Sequence, residues 1–299
     1  MPHLAILSAR PGWHTDELRR AAAERGCTAS VLPYESLLAR LGTRPGLARA
    51  LDAEGGDLFA ADAVLARIIP NGSLEQIIYR VDALHWLEDE GVPVMNSPRA
   101  IERTVDKFYT SALLQRAGLE TPETVVCERP EGALAAFRAM GDVVVKPLFG
   151  SMGLGMVRVS DEETAWRVFR ALEAIRGVYY LQRAIDHDGR DVRAFVVGER
   201  VIGAIERRSP GWRTNVSRGA EARAIALPAE WCAMALCAAR AVGAEYAGVD
   251  LLPARDAAVY VLEVNGIPGW RGLQEATSID VAGAIVDHLI EHRSGMRET

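Results

Sequence analysis

The chain of 299 residues is 49% apolar and 25% charged, enough to bury sizeable cores in two or three lobes and ordinary for a globular protein. A net charge of −6, with no dense basic run, argues against nucleic acid or an anionic membrane as the main partner. The first residues lack a signal-peptide pattern, no stretch has the length of a membrane helix, and Cys27, Cys127, Cys232 and Cys237 lack zinc-site spacing, so free thiols and a cytoplasmic location are expected.

Leu4-Ala5-Ile6-Leu7 reads as a buried parallel strand running into a loop that ends at Trp13, after which Thr15 is placed to cap a helix over 15–25, closed by Gly26. Strands at 30–32, 63–66 and 92–95 alternate with helical segments at 35–41 and 74–90. That order predicts a parallel, Rossmann-like sheet over residues 1–98. No Gly-x-Gly-x-x-Gly follows the first strand, so a dinucleotide site is not expected there.

Pro98 opens a helix expected to run from 99 to 116, bearing Asp106-Lys107, and a second lobe is expected over 99–190. An extended stretch at 121–126 and a helix at 131–140 lead to Val143-Val144-Val145-Lys146, followed by glycines at 150, 153 and 155 and then Val157-Arg158-Val159. The pattern is strand, glycine loop, strand. Neither the P-loop nor the Rossmann turn fits, because no Lys-Ser/Thr pair follows the glycines and no helix starts there. Glycines allow such a tip positive φ and close approach of its N–H groups to an anion, while Lys146 adds a fixed charge. A hairpin that merely turns would share the glycines, but not the lysine usage. Of 34 basic residues only Lys107 and Lys146 are lysine; a compact ammonium in place of a planar guanidinium suits point-charge binding of ATP phosphates. A helix at 162–175 and a strand at 178–182 complete this lobe.

The third lobe, 191–299, begins with the alternating strand from Asp191, a tight turn at Gly198-Glu199 and a return strand over 201–206. A loop over 207–219 holds Trp212, Arg213, Asn215 and Arg218; a helix at 229–242, a hairpin of 248–252 with 259–265 and a terminal helix at 279–292 follow. Glu263 and Asn265, two apart on a strand, share one face, and an antiparallel register turning within 253–257 places Asp250 near Glu263. Two carboxylates and an amide make an oxygen set suited to magnesium, the alternative being a solvated polar face.

With these residues placed, nearly the whole chain resembles the ATP-grasp superfamily, and within it the ribosomal-protein-S6-modifying α-L-glutamate ligases. The matching strings are Met95-Asn96-Ser97-Pro98 with Asp106-Lys107, Val144-Val145-Lys146-Pro147, Gly150-Ser151-Met152-Gly153-Leu154-Gly155, Gln182, Asp191-Val192-Arg193, Arg213-Thr214-Asn215 with Arg218-Gly219, Gly248-Val249-Asp250 and Glu263-Val264-Asn265. The resemblance implies an α/β ATP-grasp fold, a Rossmann-like first domain plus two α+β lobes that clasp ATP. By similarity Lys107 and Lys146 contact phosphates, the glycine hairpin closes over them, and Gln182, Arg183, Ala184 and Ile185 form the hinge against adenine. Asp191 approaches the ribose, and Arg193 is counted with the nucleotide-binding residues. Asp250, Glu263 and Asn265 hold two Mg2+ ions, with Mn2+ as a substitute, while Arg213 and Asn215 meet the transferred phosphoryl group and the acyl phosphate.

The implied activity is ATP-dependent carboxylate–amine ligation through an acyl phosphate, shielded from water by the glycine hairpin. The expected partners are a small-molecule carboxylate acceptor and an amino acid, in a homodimer or homotetramer. Relatives have an acid after the hinge glutamine where this chain has Arg183, and a smaller apolar residue at the position of Trp270. Pro-Gly-Trp occurs three times, ending at Trp13, Trp212 and Trp270. These loops are expected to face the cleft; the first reading packs each tryptophan against its own lobe, and the sharper one has two or three of them, with Arg218, line an acceptor pocket for a planar ring. Glutamate addition to a pterin or furan cofactor of C1-carrier biosynthesis is the preferred reading. Its alternatives are glutamate ligation to a protein C-terminus and a small-molecule kinase on the same fold.

Overall fold

The structure, a computed structural model, describes residues 1–42, 49–150, 153–209, 211–212 and 221–296. In chain order the first lobe comprises β1 (His3–Ser8), α1 (Trp13–Glu24), β2 (Thr28–Pro33), β3 (Leu37–Arg40), β4 (Ala50–Ala53), β5 (Gly56–Asp57), β6 (Ala63–Ala66), α2 (Leu74–Asp89) and β7 (Val94–Met95). Its main sheet has the order β2-β1-β6-β7 with every pairing parallel, as the βαβ alternation predicts. The helix expected over 35–41 is instead a 3-10 turn leading into β3, which pairs with β4 in a small antiparallel sheet. Thr15 is not the cap of α1 either. Gly12 precedes the helix and donates its N–H to Thr15 Oγ1 at 2.8 Å.

The helix expected over 99–116 is two helices, α3 (Pro98–Val105) and α4 (Lys107–Arg116). Asp106 breaks it: extended in backbone, its carboxylate accepts from the N–H groups of Phe108 and Tyr109 at 2.9 and 3.1 Å, starting α4 afresh. Lys107 therefore stands at the first turn of a helix. Of the buried residues of this pair, Ala100, Leu113 and Leu114 belong to the core beneath the third sheet and Ile101 to that of the first lobe, although the pair was expected within the central lobe.

The central lobe contains β8 (Thr124–Cys127), α5 (Pro130–Met140), β9 (Val143–Lys146), β10 (Val157–Val159), α6 (Glu162–Ala174) and β11 (Tyr179–Arg183). Its antiparallel sheet has the order β10-β9-β11-β8, and β9 and β10 pair with Val145 opposite Val157, so the glycine stretch is the tip of a hairpin. Both helices pack on one face through Ala133, Phe137, Ala165 and Phe169.

The third lobe contains β12 (Arg190–Val197), β13 (Arg200–Arg208), β14 (Glu221–Ala224), α7 (Ala229–Val242), β15 (Tyr246–Pro253), β16 (Val259–Asn265), α8 (Arg271–Thr277) and α9 (Val281–Met296). The sheet order is β14-β13-β12-β15-β16, antiparallel throughout. β12 and β13 meet at the two-residue turn predicted at Gly198-Glu199. β14 and α8 were not anticipated. One face of the sheet buries the small residues of α7, Ala235, Ala238 and Ala239. The other face shares a core with the first lobe, in which Leu4, Ile6 and Leu18 meet Phe195, Tyr246, Trp270 and Ile285.

Candidate active site

The cleft between the central and third lobes gathers Lys107, Lys146, Gly150, Gly153, Leu154, Gln182, Arg183, Ala184, Ile185, Asp191, Trp212, Asp250 and Glu263. Two strands enter it from the central lobe. β9 delivers Lys146, whose Nζ donates to Oε1 of Gln182 on the adjacent β11 at 2.5 Å. Gln182 is 3% exposed, and its Nε2 in turn donates to Thr124 Oγ1 at 3.1 Å. Burial pushes the Lys146 ammonium down to about 8, against the pull of Glu263. Lys107, from the start of α4, donates to the carbonyls of Gly150 and Leu148 at 2.8 and 3.4 Å, so it holds the base of the glycine hairpin. Its pKa is also lowered by burial, opposed by Glu263 and Asp106.

Beyond Gln182 the chain forms the expected hinge segment. The Arg183 guanidinium is held by Glu123 Oε2, at 2.9 Å from Nε, and donates from Nη1 to the Met140 carbonyl at 3.1 Å. The arginine is thus anchored on its own lobe. The N–H of Ala184 is bonded to the Asp142 carbonyl at 2.9 Å.

The third lobe supplies the carboxylates. Asp250 on β15 lies directly opposite Glu263 on β16, the register anticipated from the hairpin pattern. A register shift between Asp250 and Leu251 marks a β-bulge, a device that re-aims side chains beside active sites. Asp250 is bound bidentately by Arg193, at 2.6 Å from Nε and 2.7 Å from Nη2, and by Arg207 Nη2 at 2.9 Å. Burial would raise its carboxyl, but these two guanidiniums hold it below the usual carboxylate range. Glu263 goes the other way, raised by burial and by the Asp250 charge. Asp191, expected near the ribose, is buried with both oxygens on Arg207, at 2.6 and 2.5 Å. Asn265 accepts the Ile267 N–H at 3.0 Å.

The donor chemistry fits magnesium. Among the described residues no group of three or more His, Cys, Asp or Glu could cage a metal. Two facing carboxylates and a nearby amide leave most of the shell to water and phosphate oxygens, which is the habit of this ion.

Ser151, Met152, Arg213, Asn215 and Arg218 lie outside the described residues. The three Pro-Gly-Trp loops do not converge on one pocket. Trp212 lines the cleft, whereas Trp270 is 1% exposed and offers no stacking face to a ligand. Its ring packs against His14 at 4.6 Å between centroids, Trp13 at 6.3 Å and Phe195 at 6.4 Å, with the Arg67 guanidinium 4.7 Å from its centroid. The tryptophan fills the seam between the first and third lobes.

Two positioning residues escaped the sequence reading. Asn96 is fully buried; its Nδ2 donates to the carbonyls of Tyr246 and Gly266 at 2.8 and 2.5 Å, and its Oδ1 accepts from the N–H groups of Glu245 and Tyr246 at 2.7 and 3.1 Å. All four positions of the amide are used, tying the first lobe to the entry of β15 and the exit of β16. Arg67, 2% exposed, donates to Tyr246 Oη and the Pro268 carbonyl, each at 3.2 Å, and so braces the same exit loop. The asparagine was quoted only as part of a resembling string; Arg67 carries no sequence signal at all. A second cavity of about 490 Å3, lined by His3, Asp16, Arg19 and Glu54 among others on the first lobe, contains none of the predicted site residues.

Two antiparallel lobes clasping a cleft that holds two lysines, a glycine hairpin and facing carboxylates define an ATP-grasp enzyme. The RimK-like ATP-grasp domain matches residues 104–289, more than half of the chain. The protein belongs to the RimK-like ATP-grasp family and is an ATP-dependent carbon–nitrogen ligase. It is 35% identical to the tetrahydromethanopterin:alpha-L-glutamate ligase of Methanosarcina acetivorans over 93% of this chain and 95% of that one. A probable alpha-L-glutamate ligase of Trichodesmium erythraeum is 32% identical over 96% and 95% of the two chains. Among solved structures, the ATP-grasp ligase PsnB with its minimal precursor superposes with a TM-score of 0.77 at 22% identity, covering 97% of this chain and 99% of PsnB. A RimK domain ATP-grasp protein of Sphaerobacter thermophilus gives 0.70 at 25% identity, covering 96% and 99%. ATP-grasp ligases use ATP and magnesium. No helix among the described residues is long and apolar enough to cross a membrane.

Proposed function

We propose that the protein joins the amine of glutamate to a carboxylate on a small pterin-type cofactor, releasing ADP and phosphate. The observation that carries this reading is the convergence of Lys107, Lys146, Asp250 and Glu263 on one cleft between the lobes. The acceptor class is supported by the Methanosarcina acetivorans relative, whose name specifies tetrahydromethanopterin and whose length this chain matches almost end to end.

A carboxylate is a poor electrophile, so it first takes the γ-phosphoryl group of ATP; the acyl phosphate is then attacked by the amine, and phosphate leaves as the amide forms. Lys146 and Lys107 position and neutralise the phosphates. Lys107 gives two of its three N–H donors to the Leu148 and Gly150 carbonyls, so a phosphate met by the third is tied directly to the base of the glycine hairpin. Residues 182–185 form the adenine hinge, Asp191 is assigned to the ribose, Arg193 is counted with the nucleotide-binding residues, and the hairpin from Gly150 through Gly155 keeps water from the acyl phosphate. Arg213 and Asn215 are assigned to the phosphoryl group by resemblance, and Trp212 and Arg218 to the substrate. Asp250, Glu263 and Asn265 hold magnesium, two ions in the full reading, which supplies charge neutralisation and alignment at the phosphates. The reading includes a cytoplasmic location and a homodimer or homotetramer.

A peptide acceptor is the second reading, favoured by fold neighbours solved with precursor peptides. The test is phosphate release from Mg-ATP with glutamate and a panel of pterin, furan and peptide carboxylates, followed by mass spectrometry. Release that requires both glutamate and a pterin carboxylate, with a mass gain of one amide-linked glutamate, supports the first reading. The same gain on peptides alone supports the second. A phosphorylated product without free phosphate points to a kinase.

A further inference from the structure

The carboxylate that the proposed function assigns to the divalent cation is already paired with a guanidinium. Arg193 sits on β12 directly opposite Asp250 on β15 and binds both of its oxygens, at 2.6 and 2.7 Å, while its Nη2 lies 3.6 Å from Glu263 Oε1. It therefore bridges the two facing acids. The backbone has made room for this pose: a Cβ on Gly248, two residues before Asp250 on the same strand face, would stand 3.3 Å from Arg193 Cδ and 3.4 Å from its Nε. The nearest neighbour of that Cβ would be Pro268 Cβ at 3.1 Å, so Gly248 serves the packing of both the exit loop and the arginine.

The two arginines that touch Asp250 are not equivalent. Arg207 has a side chain 3% exposed and is shared between Asp191 and Asp250, both of them buried. It is a fixed part of the floor. Arg193 is 18% exposed, on the side of Glu263, which is itself 42% exposed. Of the two, only Arg193 has a way out. Asp191, Asp250 and Glu263 together carry three negative charges against the two guanidiniums. Without Arg193, Asp250 would keep only the Arg207 guanidinium that it shares with Asp191, and Glu263 would face the Lys146 and Lys107 ammoniums alone, which leaves Asp250 undercompensated unless a cation replaces the arginine.

We propose that Arg193 is the resident counter-ion of the divalent-cation site: it occupies Asp250 and Glu263 until metal-bound nucleotide displaces it. This rests on the reading of Asp250 and Glu263 as metal ligands. In the proposal the nucleotide's phosphates become the new anionic partner of the released guanidinium, so the exchange is favourable only when metal and phosphate arrive together. Free divalent ion has to compete with a bidentate pair and gains no such compensation.

The experiment measures Mn2+ binding to the full chain by electron paramagnetic resonance, with and without a non-hydrolysable ATP analogue, for the wild type and for Arg193→Gln, Arg193→Lys and Asp250→Asn. The wild type is expected to bind Mn2+ tightly only with the analogue. Arg193→Gln should bind Mn2+ without nucleotide at least about tenfold more tightly than the wild type. Arg193→Lys, which keeps the charge but not the bidentate fork, should fall between and serves if the glutamine variant does not fold. Equal nucleotide-free affinity in the wild type and these variants overturns the counter-ion proposal while leaving the metal site standing. If Asp250→Asn does not weaken Mn2+ binding in the analogue complex, the metal-ligand reading itself falls and the proposal with it.

Discussion

The Lys146 ammonium and the Gln182 side-chain carbonyl are joined at 2.5 Å across neighbouring strands, one leading into the glycine hairpin and the other into the hinge. This bond fixes a half-buried cation at the place where two segments assigned to the nucleotide start. It also explains why the position suits lysine: a guanidinium is longer and would need several acceptors where one is supplied.

Burial holds Lys146 near 8, below its ordinary value of 10.5. The free enzyme thus loses this charge as pH rises through about 8, and kcat/KM for ATP, which follows free-enzyme ionisations, should fall with it. Arg at position 146 should lower activity but move the limb upward; an unmoved limb contradicts the assignment. The stability effect has the opposite sense. Between pH 8 and 10.5 the unfolded chain binds more protons at this lysine than the folded one, so Lys146 makes stability rise across that window.

Asn96→Ala should be among the most destabilising single changes. It strands two N–H groups and two carbonyls at the junction of the lobes. Each orphaned buried group costs roughly 1–3 kcal/mol, so a loss of about 3 kcal/mol or more is expected in urea unfolding. A change within about 0.5 kcal/mol, as at an ordinary surface site, contradicts the role.

Trp270→Ala should empty space in the core shared by the first and third lobes and cost about 3–5 kcal/mol. Trp270→Phe should cost much less. Unfolding of both variants by denaturant checks this, and an alanine variant as stable as the wild type would show that the ring does not fill the seam.

Gly155 has φ of +74°, and a Cβ there would lie 3.3 Å from Pro147 Cγ. Gly155→Ala therefore forces the hairpin tip out of its shape, at a strain of about 1–3 kcal/mol. The expected readout is a drop of roughly tenfold or more in kcat/KM for ATP, with a smaller effect on global unfolding than Asn96→Ala. Unchanged kinetics would contradict the part given to the tip.

How far the sequence carries depends on the range over which each residue acts. Asp250 opposite Glu263 was legible because a hairpin's register follows from a few residues on either side of its turn. The β9–β10 hairpin was legible for the same reason. The break at Asp106 was missed because the helical pattern continues through it, and only the capping bonds to Phe108 and Tyr109 reveal a new start. Asn96 acts on partners 149 to 170 residues away, which no local pattern encodes. The Trp270 error has a different origin. A repeated tripeptide describes the backbone of a loop, whereas burial is decided by what the rest of the fold lays over it.

The central claim, amide formation through an acyl phosphate, is tested most directly by oxygen transfer. The acceptor's carboxylate is labelled with 18O and turned over with ATP and glutamate, and the released phosphate is analysed by mass spectrometry. One labelled oxygen per phosphate is predicted, because the carboxylate oxygen that takes the γ-phosphoryl group departs with it when the amine attacks. Amide product accompanied by unlabelled phosphate would contradict the account.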